Sequence, residues 1–151
     1  MREIQLQDTF KLAKLIRETN ASDKIAEMLE EVNEKRRAAR EKVLKMKQES
    51  EASNDEKDLE EAKIKAVELK TIQEEFSKQF GIKVVMFIIN VAAENNVEKM
   101  VYELLGGICE IDAEEMAKQS LKSVKEMIKQ ITEMNDIFDF FKDAGELAQD
   151  M

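Results

Sequence analysis

Glu30 to Glu49 reads EEVNEKRRAAREKVLKMKQE, and its pattern decides the fold. An apolar line runs through Val32, Ala39, Val43 and Met46, with Arg36 interrupting a near three–four spacing. Almost everything else is charged. A thin apolar stripe on a highly charged helix is the pattern of a coiled-coil arm rather than of a core helix. Upstream, Ile25 and Met28 or Leu29 extend the stripe, and Ser22 or Asp23 is placed to cap the helix. Downstream, SEASNDE (Ser50 to Glu56) is the clearest loop in the chain. Leu59, Ala62, Ala66, Leu69, Ile72 or Gln73, Phe76 and Phe80 then repeat the stripe up to Gly81, a residue suited to ending a helix. The two helices are expected to fold back as an antiparallel hairpin arm over residues 23–80, with its loop near 50–56. At 1.5 Å per residue, arms of about 25 residues are about 37 Å long.

On the N-terminal side, Met1 to Gln7 alternates weakly and suits a short extended arm. Asp8 is the expected N-cap of a first helix carrying Phe10, Ala13 and Ile16 and ending near Asn20. On the C-terminal side, residues 82–151 read as a helical bundle. Ile82 to Asn95 is apolar nearly all round, as for a helix surrounded by others, and Asn95-Asn96 breaks it. Val97 to Leu105 forms the next helix, stopped at Gly106-Gly107. Asp112 with Glu115 gives a capping pattern, Ser120 is placed to cap a helix with Leu121, Val124, Met127 or Ile128, Ile131 and Met134 on one face, and Asp136 opens the last element. The expectation is all-α: one helical domain over 1–151, a compact bundle with a long antiparallel helical hairpin.

Composition agrees and narrows the chemistry. The 151 residues include 24 Lys and Arg against 33 Asp and Glu, for a net charge of −9, with no His, no Pro and one Cys. Without His the commonest general base and zinc ligand is missing, and one Cys forms neither an internal disulfide nor a Cys-rich metal site. The acidic balance argues against general nucleic-acid binding, which draws most of its affinity from phosphate contacts. The most apolar stretch, Val84 to Ala93, is about half the roughly 20 residues a membrane helix needs. No basic start followed by an apolar run resembles a secretory signal. The expectation is a cytoplasmic, non-enzymatic protein without metal or cofactor, and without nucleic-acid or membrane partners.

Several constellations bear on chemistry. Glu30/Glu31, Glu60/Glu61, Glu74/Glu75 and Glu114/Glu115 are adjacent on charged helices and read as solvated surface, not as opposed acid and base. Asp136, Asp139 and Asp143 lack the spacing, Gly and terminal Glu of a calcium loop. Cys109, among Leu105, Ile108 and Ile111, reads as a small hydrophobe. The basic run Lys35, Arg36, Arg37, Arg40, Lys42, Lys45 and Lys47 suits an acidic partner or nucleic acid. Its simpler reading is a charge match across the hairpin with Asp55, Glu56, Asp58, Glu60 and Glu61. The terminal segment Phe138-x-Phe140-Phe141, with Leu147, is the candidate partner-binding site. At 100° per residue, Phe138 and Phe141 share a face and Phe140 points away, so either both sides of the last helix are buried or one is an exposed patch. A coiled-coil structural or regulatory protein that oligomerises through its charged hairpin is the alternative.

The ends of the chain carry a resemblance. Leu6-Gln-Asp-Thr-Phe-Lys-Leu-Ala-Lys-Leu-Ile-Arg17 resembles the opening helix of the small tail assembly chaperones of long-tailed bacteriophages. Tyr102-Glu-Leu-Leu105, Ile111-Asp-Ala-Glu-Glu-Met116 and the closing Phe138-Asp-Phe-Phe-Lys142 are similar to their C-terminal half. The similarity covers residues 4–29 and 97–147, and residues 30–80 depart from the compact family pattern. It implies a helical, non-catalytic protein made in the cytoplasm of the infected bacterium and absent from the mature virion. Such a protein keeps the tape measure protein soluble while tail tube subunits polymerise around it, and self-association is compatible with it.

Overall fold

The structure, a computed structural model, describes residues 1–53 and 56–150, without the side chains at 50–53, 58, 73 and 77. Among the described residues there are seven α-helices and no strand: α1 (Leu6–Glu18), α2 (Ser22–Ser53), α3 (Glu56–Glu94), α4 (Glu98–Cys109), α5 (Ala113–Ala117), α6 (Leu121–Met134) and α7 (Ile137–Asp150). The all-α expectation holds. The chain divides into two units, Met1–Leu29 with Lys78–Met151, and Glu30–Ser77. The arm is thus shorter than the expected 23–80. The bundle is larger than 82–151, because the N-terminal helix belongs to it.

In the first unit, α1 and α7 pack on one another and α1 also packs on α4, so elements from the two ends of the sequence share one core. Leu12, Leu15 and Ile16 of α1 are fully buried, as are Val84 of α3, Ile108 of α4, Ile128 of α6 and Phe141 of α7. An internal void of about 30 Å³ lies between Leu15, Ile88, Leu104, Ile131 and Phe140. Its lining is apolar, so it offers a water no partner and stays dry.

Several boundaries match the expected punctuation. Asn20 (φ 53°) and Asn96 (φ 58°) take the left-handed conformation that ends α1 and α3. Ser120 caps α6 by accepting from the Ser123 N–H at 3.1 Å, and Asp136 Oδ1 accepts from the Asp139 N–H at the start of α7.

The glycines behave otherwise. α3 runs unbroken through Gly81, and the expected C-cap there is corrected. A β-carbon at Gly81 would sit 2.5 Å from Thr132 Cγ2, so the glycine serves the close approach of α6 to α3. Gly106 and Gly107 likewise lie inside α4, and the left-handed position falls to Glu110 (φ 62°). The chain doubles back so tightly that a β-carbon at Gly106 would meet the Ile111 carbonyl at 2.8 Å. With Gly81 not breaking it, α3 contains a stretch long and apolar enough, by length and composition alone, to cross a membrane. Its Val84, Ile88 and Ala92 are buried. α2 continues to Ser53, so residues 50–53 of the expected loop are helical, and Asn54 and Asp55 lie outside the described residues.

The N-terminus holds a pair that composition does not announce. Asp8 is fully buried, at N3 of α1 rather than at the expected N-cap, which is Gln5. Its carboxylate accepts from Arg2 Nη1 at 2.6 Å, from Arg2 Nη2 at 2.9 Å and from the Gln5 N–H at 2.8 Å. Burial works to raise its pKa, but these donors outweigh burial and hold it below the usual carboxylate range. The Arg2 N–H donates to the Ile108 carbonyl at 2.9 Å, and a β-carbon at Gly107 would come within 3.3 Å of Arg2 Nη2. The extended N-terminal segment is thereby clamped to the end of α4.

Candidate functional site

The C-terminal aromatics come first, as the site expected from sequence. Phe138, Phe140 and Phe141 are all buried, at 6%, 8% and 2% exposure, and Leu147 is half-buried. Phe138 meets Phe80 of α3 with ring centroids 6.2 Å apart, and Phe140 meets Phe141 edge-on at 5.7 Å. The expectation of an accessible patch is therefore corrected: both sides of α7 are covered. Rings pointing in opposed directions are all buried because α7 is enclosed by other helices of its unit, a neighbourhood that local spacing cannot reveal.

The carboxylate pairs Glu30/Glu31, Glu60/Glu61, Glu74/Glu75 and Glu114/Glu115 are exposed. Among the described residues no group of three or more His, Cys, Asp or Glu side chains is placed to hold a metal ion. Cys109 is half-buried, and burial pushes its thiol pKa up, away from the reactive thiolate. On α7, burial and the neighbouring Asp136 and Asp143 carboxylates raise the pKa of Asp139.

Uncovered apolar side chains occur in both units: Leu6, Phe10, Leu121 and Met134 in the first, and Leu44, Ile64, Val67 and Ile72 on the arm, where a groove lies beside two of them. Lys35 of α2 places its ammonium 4.3 Å over the Phe76 ring of α3, and further along α2 Ala39 and Val43 share a groove with Ala66 and Val67. As α2 advances from 35 to 43, its neighbours on α3 retreat from 76 to 66, which is the expected antiparallel pairing. The seam is thin. Arg36, Ala39, Val43, Met46, Leu59, Ala62, Ala66, Leu69 and Phe76 are only half-buried, and Val32 alone among the described hydrophobic residues of this unit is fully so.

This register also relocates the charges. The basic run 35–47 faces the stretch of α3 from about 63 to 76, not the acidic cluster 55–61, which lies nearer the turn; Asp55 and the Asp58 side chain are outside the described residues. Lys35 pairs with Glu31 of its own helix at 3.8 Å, while Arg37, Arg40, Lys42 and Lys45 make no ion pair among the described residues.

Among the described residues of the arm, four large aliphatic side chains stand in solvent: Leu44, Ile64, Val67 and Ile72, each 58–64% exposed. Leu44 and Val67 flank a groove of about 550 Å³ floored by Ala39, Val43 and Ala66 and rimmed by Arg40, Lys47 and Lys70. Of the four, the apolar pattern of the sequence singles out only Ile72, and it places that residue in the seam. Their position off the three–four stripe is the signal that could have found the others. Comparison of the chain with protein-family models, with curated proteins and with solved structures gives no match.

Proposed function

We propose that this protein is a non-catalytic tail assembly chaperone of a long-tailed bacteriophage, acting in the cytoplasm of the infected bacterium and left out of the mature particle. It binds apolar helical segments of the tape measure protein, and tail tube subunits, during tail morphogenesis. The observation that carries the reading is the exposure of Leu44, Ile64, Val67 and Ile72 on one helical hairpin. Apolar side chains left uncovered next to one another, as Leu44 and Val67 are at one groove, mark a surface that another molecule covers. An amphipathic helix from a partner lays its apolar face into such a groove. The net charge of −9 keeps the loaded complex dispersed. In this reading the arm is the capture surface, since the C-terminal aromatics are occupied by the protein's own core.

Co-expression with the tape measure and tail tube proteins of the same genome tests it. A tape measure fragment co-purifies with the wild-type chain and is lost with Leu44→Glu/Val67→Glu. Failure of every tail component to co-purify with the wild type overturns the reading.

A further inference from the structure

The arm carries two surfaces that match each other. The first is the groove between α2 and α3, with Leu44 and Val67 at its edges and Arg40, Lys47 and Lys70 at its rim. Arg40 and Lys70 make no ion pair among the described residues. The second is a ridge along α3 made by Glu61, Ile64, Glu68, Ile72 and Glu75, all exposed. At 100° per residue these five fall within an arc of about 80°, while Val67 and Lys70 lie outside it.

The spacings agree as well as the charges. Glu61, Glu68 and Glu75 repeat every seven residues, about 10.5 Å at 1.5 Å per residue, so the ridge presents carboxylates at regular intervals to a rim that carries Arg40 and Lys70. Ile64 and Ile72 are about 12 Å apart, matching the length of groove between Ala39 and Lys47.

We infer that the occupant of the groove is a second copy of this chain, which inserts its Glu61–Glu75 ridge between the groove's edges. Ile64 and Ile72 cover the exposed Leu44 and Val67, and the heptad carboxylates sit against the cationic rim. A two-fold pairing of groove with groove would oppose cation to cation, so the contact joins unlike surfaces. Contacts of that kind run head to tail and generate rings or open chains. The self-contact covers the same aliphatic residues that the tail-chaperone reading rests on, so it competes with partner capture at the groove, and it is tested on the purified protein alone, without any tail component.

Sedimentation equilibrium on the wild type and two variants tests it. The wild type gains mass with concentration. Its self-association weakens about tenfold between low salt and about 0.5 M NaCl, because exposed ion pairs are screened. Leu44→Glu/Val67→Glu spoils only the groove and Ile64→Glu/Ile72→Glu only the ridge. All four positions are exposed, so helical circular dichroism and the thermal transition verify that each variant folds. Each variant alone is monomeric. Their equimolar mixture forms a capped species of twice the monomer mass, since one supplies an intact groove and the other an intact ridge. A wild type that stays monomeric at about 200 μM in low salt overturns the inference, including where it binds an acidic partner helix instead. So does a folded variant that associates as the wild type does, or a mixture that remains monomeric.

Discussion

The unit formed by Met1–Leu29 with Lys78–Met151 and the arm Glu30–Ser77 are built from the same element, the α-helix, yet they dispose of apolar side chains differently. In the first, Leu12, Ile88, Ile108 and Phe141 vanish into a core supplied by helices from both ends of the sequence. In the second, α2 and α3 meet along one seam. Each can cover one narrow stripe of its neighbour, so the seam is half-buried and Leu44, Ile64, Val67 and Ile72 stay wet. A helix pair has too few faces to enclose aliphatic residues that lie off the seam, whereas a bundle encloses them from several sides. The largest share of enclosed apolar side chains therefore lies in the first unit, although Leu6, Phe10, Leu121 and Met134 are exposed there too.

Substitutions can break this contrast or sharpen it. Phe141→Ala tests it most severely: removal of a ring that is 2% exposed is expected to cost about 3–5 kcal/mol in chemical denaturation. A variant as stable as the wild type would mean that the aromatic segment is not core after all.

Asp8→Asn comes next, with an expected loss of about 3 kcal/mol at neutral pH, because it leaves the largely buried Arg2 guanidinium without its counter-charge. The native Asp8 pKa is depressed, so its contribution is complete above the unfolded value of about 3.9 and is lost as pH falls through the lower native value. Wild type and variant should therefore converge in stability as pH drops below about 4. A gap that persists undiminished into acid would assign the effect to shape rather than charge.

Gly81→Ala should destabilise by about 1–2 kcal/mol despite the better helix propensity of alanine, since the new methyl meets Thr132 Cγ2. Combining it with Thr132→Ser removes that methyl and should recover most of the loss, a coupling that a thermal-denaturation double-mutant cycle reads directly. The smallest effect belongs to the arm: Ile64→Ser/Ile72→Ser should change stability by no more than about 0.5 kcal/mol per site, because neither side chain is buried. A large loss there would show that the arm's outer residues are part of a core.

Much of the architecture was legible along the chain. The stripe from Ile25 to Met46 and its echo from Leu59 to Phe80 lie buried or half-buried, apart from Ile72 and the undescribed Gln73. Asn20, Asn96, Ser120 and Asp136 punctuate the helices as their side chains dictate. The errors cluster at residues whose role is set by a distant neighbour. Gly81 looked like a stop because a glycine near the end of an apolar stripe suits a C-cap, while its actual partner, Thr132, lies 51 positions further on. Asp8 looked like an N-cap because the Arg2 side chain and the end of α4 that turn it inward are not visible in local spacing. The Phe138–Phe141 segment permitted either a core or a patch, and the packing of α7 chose the core.

The sequence by itself determined that this chain is helical, that its middle is a charged hairpin, and where most helices begin. Those properties depend on side chains within one or two turns of each other. Only the tertiary structure decided which apolar residues are hidden and which remain available, because burial is a property of what several separate helices enclose together.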